Sequence, residues 1–341
     1  MVDTYATKGL PPPPVVSKTT LPMAGLLVDV YGLAELPSGS TAGAPAPAPA
    51  PVTCLWLLHP RLRTRGRMHD IASRTLAAWH ARAASQTRGL VALCFDMPNH
   101  GSRLVSEQAN LAWDDGNASH ALDMLAMVKG GCADMRGLMD LVAGYLGRDV
   151  DAHVCLGWSL GGHSAWQAWV GEERIDAAVA VVGCPDFMGL MKDRAASSEL
   201  DCGASFLGSK YFPPDVIAAC LTQDPKAILF GTSAVPTVPL PTTEQARLRP
   251  LLDARVRGKR LLLCSGAEDK LVPYVNGQPL IEVLKEAVGG EGWYIEGKVV
   301  LEDRVYEGVG HRFSAAMVED AVRFLVDAVE AGPRGRREEK L

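Results

Sequence analysis

Residues 152–166 read AHVCLGWSLGGHSAW. Ala152 to Leu156 are small, apolar or β-branched and predict a buried strand. Gly157-Trp158-Ser159-Leu160-Gly161 then fits G-x-S-x-G, and Gly162 to Val170 read as a helix. Strand, tight turn and helix form the setting in which this motif presents a nucleophile. The turn holds Ser159 in a strained conformation with Oγ above the strand ends, and two glycines let strand and helix cross closely. The helix N-terminus below favours negative charge developing there. A serine hydroxyl attacks only when a base takes its proton. In the chain order that accompanies the motif, the acid follows the serine and the histidine follows the acid. Of eight histidines, His311 alone lies beyond residue 163, in Glu307-Gly-Val-Gly-His311. His163, four residues past Ser159, is the rival base, with packing or hydrogen bonding inside its helix as its expected fate. The acid that orients the imidazole is Asp269, after a buried strand in Gly266-Ala-Glu-Asp269, or Asp186, after the strand before it. For the oxyanion, Leu160 N–H is one donor. Pro60 has no N–H, so the second is that of Arg61 or Leu62. Trp158 and Leu62 are the candidate substrate contacts, although Trp158 could equally pack in the core.

Several elements must position these groups. Residues 1–18 are expected as a flexible or loosely docked arm. Residues 21–36 read as one or two strands. Residues 37–51, rich in Ala-Pro, read as an extended insertion between early strands. Buried strands are predicted at 52–58, 90–95, 152–156 and 260–264, and further strands at 177–182 and 298–306. Helices are predicted near 68–84, 119–147, 279–288 and from Ser314 to Gly332, with Gly130-Gly131 a possible kink in the second. Residues 185–258 interrupt the alternation with prolines, glycines and scattered aromatics, and Asp215 to Leu221 suits a short helix after Pro213-Pro214. Residues 333–341 are expected to be a solvated tail. Apolar strands alternating with helices imply a doubly wound, mostly parallel α/β sheet.

Composition narrows the function. The 341 residues are 48% hydrophobic and 21% charged, which allows a large core and excludes global disorder. A net charge of −5 argues against nucleic acid as the main partner. No apolar run is long enough for a membrane span, and the polar, proline-rich N-terminus lacks a secretory h-region. Eight cysteines occur without a C-x-x-C pair, and four sit inside strand-like runs. Reduced thiols in a cytoplasmic protein are therefore expected, with no metal site.

The segments together resemble the alpha/beta-hydrolase superfamily over roughly residues 52–330. The resemblance rests on His59-Pro60 after the first buried strand, D-x-x-x-H-G-S-R from Asp96, G-W-S-L-G-G, G-A-E-D-x-x-V-P and G-x-G-H, in that order. It implies Ser159, Asp269 and His311 as a catalytic triad. It implies a core of residues 19–184 and 259–332, with 185–258 a largely helical lid over the serine. The family usually has His-Gly where this chain has His59-Pro60, which leaves the second oxyanion donor open between Arg61 and Leu62.

The expected activity is hydrolysis of a carboxylic ester of a small, mostly apolar molecule, through an acyl-enzyme and without metal or organic cofactor. Alternatives on the same triad are a peptidase, thioesterase or acyltransferase. A ligand-binding protein without turnover is the alternative of another class. The arginines at 61, 63, 65 and 67 are expected to form a solvated face, or else to receive an anionic substrate group. Oligomeric state is left open.

Overall fold

The structure is a computed structural model that describes residues 5–37 and 50–335. Most of the Ala-Pro-rich insertion and most of the tail lie outside the described residues. Eight strands form one sheet: β1 (Lys18–Met23), β2 (Leu26–Tyr31), β3 (Val52–Leu58), β4 (Gly89–Phe95), β5 (Val150–Trp158), β6 (Ile175–Val181), β7 (Arg260–Gly266) and β8 (Val300–Tyr306). Their order is β1-β2-β4-β3-β5-β6-β7-β8. The β1–β2 and β2–β4 pairs are antiparallel and every other pair is parallel. Strands β3, β4 and β6 are buried at every residue. That explains their unbroken apolar sequences, since parallel strands are covered on both faces.

One face packs under α1 (His69–His80) and α10 (Ala315–Ala331). The other packs under α2 (His120–Met139), α4 (Leu160–Gly171) and α9 (Tyr274–Val288). Ser314 caps α10 by accepting the Met317 N–H at 3.4 Å. Met317, Ala321, Phe324 and Leu325 bury its apolar stripe.

The long helix expected over 119–147 is two: α2, and α3 (Val142–Leu146), divided at Asp140-Leu141. Gly130-Gly131 does not break it. A Cβ on Gly130 would stand 2.7 Å from Pro98 Cγ, and one on Gly131 2.5 Å from Met97 Cε. These glycines let the loop after β4 lie against an unbroken helix.

Residues 185–258 hold four helices: α5 (Phe187–Ser197), α6 (Pro214–Gln223), α7 (Pro225–Phe230) and α8 (Thr242–Arg255). Asp186 caps α5 by accepting the Gly189 N–H at 2.9 Å. Asp224 caps α7 and also accepts the Phe187 N–H at 2.9 Å, joining the two helices. Phe187, Met191, Phe206 and Phe212 are buried among them.

The N-terminal arm lies on α1. Thr7 Oγ1 donates to Asp70 Oδ2 at 2.7 Å, and Arg74 donates to the Pro11 carbonyl at 2.5 Å. All eight cysteines are free, and seven are buried. Among the described residues no helix is long and apolar enough to cross a membrane, and no three His, Cys, Asp or Glu side chains group to hold a metal ion.

Candidate active site

Ser159 sits between the end of β5 and the start of α4 with φ +56° and ψ −111°. A non-glycine residue reaches that region only when its surroundings impose it. Here they do. The Ser159 N–H donates to Val181 O at 2.9 Å, tying the turn to β6. A Cβ on Gly157 would collide with Gly161 O, and one on Gly161 with Leu58 O. Only glycine permits this crossing of strand, helix and neighbouring strand.

Ser159 Oγ lies 2.8 Å from His311 Nε2, and His311 Nδ1 lies 2.8 Å from Asp269 Oδ2. The other Asp269 oxygen accepts the Leu271 and Val272 N–H groups, each at 2.9 Å. Both carboxylate oxygens are thus engaged, and the side chain is buried while Glu268 points outward. The loops carrying the acid and the histidine are held to each other. Ala267 N–H donates to Tyr306 O and Glu268 N–H to Val309 O, each at 3.0 Å. The arrangement can pass a proton from serine to imidazole and stabilise the imidazolium that results.

The rival residues lie elsewhere. His163 is buried, and its Nδ1 accepts the Cys184 N–H at 3.0 Å. Burial pushes its pKa down to about 3, so it stays neutral. Asp186 caps α5 and does not meet the His311 ring.

The loop after β3 is clasped by two neutral histidines. His59 Nδ1–H donates to the Pro60 carbonyl at 2.8 Å, and Nε2 accepts the Met97 N–H at 2.9 Å. His100 Nδ1–H donates to the Pro98 carbonyl at 2.9 Å, and Nε2 accepts the Leu62 N–H at 3.0 Å. Burial lowers both pKa values, that of His59 to about 4. The Leu62 N–H is therefore taken, and its side chain is 54% exposed. The Arg61 N–H has no hydrogen-bond partner among the described residues. Leu160 N–H, the first of α4, has no acceptor within the helix.

A cavity of about 200 Å³ opens on Ser159, Leu160 and His311, and Arg61 lines it. Trp158 and Leu62, the expected substrate contacts, do not. Trp158 is buried on the other side, 5.7 Å from the Phe313 ring and 5.9 Å from the Tyr5 ring. Arg67 stacks over Tyr5 at 3.3 Å, with Trp158 at 5.0 Å. Arg65 pairs with Asp29 and Asp96. Arg63 is exposed and, among the described residues, donates only to the Leu62 carbonyl, at 3.3 Å, so the four arginines have different fates that the neighbouring sequence does not separate. The cavity also takes Trp113, His120 and Met124 from one side, and Arg194, Ser197 and Ser198 of α5 from another. Sequence reasoning missed these. Arg194 contacts Leu271, 77 positions away, and nothing local marks such a contact.

The sequence pattern of the Alpha/beta hydrolase family matches residues 57–328. No curated protein matches the chain. Among solved structures, TT1662 from Thermus thermophilus is 19% identical, with 94% of this chain and 100% of that chain covered and a TM-score of 0.56. A puromycin-hydrolyzing peptidase from Mycobacterium tuberculosis is 15% identical, with 94% of this chain and 40% of that one covered and a TM-score of 0.53. At these identities the likeness is one of fold.

Proposed function

The chain belongs to the alpha/beta hydrolase family, and from that premise we propose that it is a serine hydrolase acting on a carboxylic ester. The supporting observation is the unbroken hydrogen-bonded line from Ser159 Oγ through His311 to Asp269. His311 Nε2 takes the proton as Ser159 Oγ bonds to the carbonyl carbon. The oxyanion receives the Leu160 and Arg61 N–H groups. As the intermediate collapses, the bond to the leaving alcohol breaks and His311 returns the proton to that oxygen. Water, deprotonated by His311, then attacks the acyl-enzyme. Acid is released and Ser159 regains its proton.

Residues 185–258 act in this reading as a cap, because α5 supplies part of the cavity wall above Ser159. A fluorophosphonate tests the activated serine. Wild type is expected to be labelled and Ser159→Ala not. Labelling of both, or of neither, overturns the assignment. A panel of ester, thioester and peptide substrates then fixes the bond, and an ester preference is expected.

A further inference from the structure

The wall facing the candidate nucleophile is cationic. Arg61, Arg194 and Lys270 line the cavity, against one carboxylate, Asp114. Neither Arg61 nor Arg194 has a carboxylate within ion-pair distance among the described residues, whereas Arg65 and Arg174 each have two. Arg61 Nη1 donates to the Asn110 carbonyl at 2.6 Å. Arg194 donates from Nη2 to the Leu271 carbonyl at 2.7 Å and touches Met124 Sδ at 3.3 Å. His120 faces Arg194 as a neutral ring. Its Nδ1–H donates to the Leu111 carbonyl at 2.9 Å, which leaves Nε2 as a lone pair 3.4 Å from Arg194 Nη1.

These contacts orient the two guanidinium groups and leave neither in ion-pair contact, although Asp115 attracts Arg61 and Asp269 attracts Arg194 from farther off. A guanidinium presents five N–H donors in a planar fork that fits a carboxylate. Placing two such cations against one small cavity is costly unless an anion joins them. Burial and their mutual repulsion lower the Arg194 pKa to about 10, so it remains charged near neutral pH.

We propose that the substrate carries a carboxylate, a short chain away from the scissile carbonyl, and that Arg61 and Arg194 receive it. This rests on the serine-hydrolase reading above and narrows its substrate class. The acyl and the alcohol portion are each able to bear the charge, so matched pairs test both. One pair is 4-nitrophenyl hydrogen glutarate against 4-nitrophenyl pentanoate. The other is 3-acetoxybenzoate against phenyl acetate.

In one pair or both, the anionic ester should have at least tenfold the kcat/KM of its neutral partner. That ratio should shrink as salt is raised, because screening weakens ionic attraction. Arg194→Met and Arg61→Met should each reduce the ratio at least tenfold, mainly through KM, while Arg194→Lys retains part of it. The second arginine and the salt series keep the test open should one variant fold poorly. Equal kcat/KM within both pairs, in wild-type protein that a fluorophosphonate labels, overturns the carboxylate site and leaves the hydrolase reading standing. Failure of labelling overturns that reading instead.

Discussion

At the scale of single residues, Ser159 carries two burdens that can be separated. Its hydroxyl meets His311 at 2.8 Å, and its backbone sits at φ +56°. Groups that act in one step have strongly non-additive effects. Ser159→Ala and His311→Ala should each lower kcat by about 10⁶-fold, and the double variant should be little worse than either. Losses that multiply would show that the two do not share a step. Ser159→Gly should also lose activity, yet gain stability. Glycine adopts the positive φ without strain, and such strain costs on the order of 1–3 kcal/mol. Urea unfolding reads the gain, and a midpoint at or below that of wild type would show the turn to be unstrained.

At the scale of elements, the loop after β3 depends on the loop after β4. His100 holds the Leu62 N–H, one residue beyond Arg61. His100→Ala releases that bond, so the Arg61 N–H drifts from the oxyanion position proposed for it. The expected result is a fall in kcat of roughly 10- to 100-fold with little change in KM, less than the loss on deleting a donor outright. A change confined to KM would place the loop in substrate binding instead. The cap has its own test. With uncharged esters, kcat/KM should rise with acyl length at about 0.8 kcal/mol per buried CH₂ and fall once the cavity is full. A flat series would remove 185–258 from selection. Much of this scaffold was legible. Residues 90–95 and 260–264 announce strands because both faces are buried, and Ser159 and His311 stand out by motif and by being last. The cavity wall was not legible. Arg61 and Arg65 look alike in sequence, and what separates them is whether a carboxylate from a distant strand reaches them. For Trp158, next to the serine, the sequence left substrate contact and core packing equally open. Alternation along the strand end turns it to the opposite face.

At the scale of the whole molecule, buried histidines tie stability to pH, and three do so most strongly. Burial lowers the pKa of His59 and His120 to about 4 and that of His163 to about 3, from an ordinary 6.5. Between those values the unfolded chain binds protons that the fold refuses. Their contribution is complete above about pH 6.5 and is lost as pH falls toward 4 for His59 and His120 and toward 3 for His163. The Tm should decline across that window, and His120→Gln should lessen the slope by up to about one proton. Imidazole NMR signals of these three should not titrate between about pH 8 and 5.5. A titration near 6.5 would contradict the assignment.

The 152 residues that separate the serine from the histidine also have a meaning in time. A ribosome adding about 5–20 residues per second makes Ser159 roughly 8–30 s before it makes His311. β5 and the glycine turn leave the exit tunnel while the codon for His311 is still untranslated. The α10 segment that anchors the final loop comes later still. Until then the proposed nucleophile has no base to take its proton. On the proposed reading, the newborn chain is thus inert until His311 has been made.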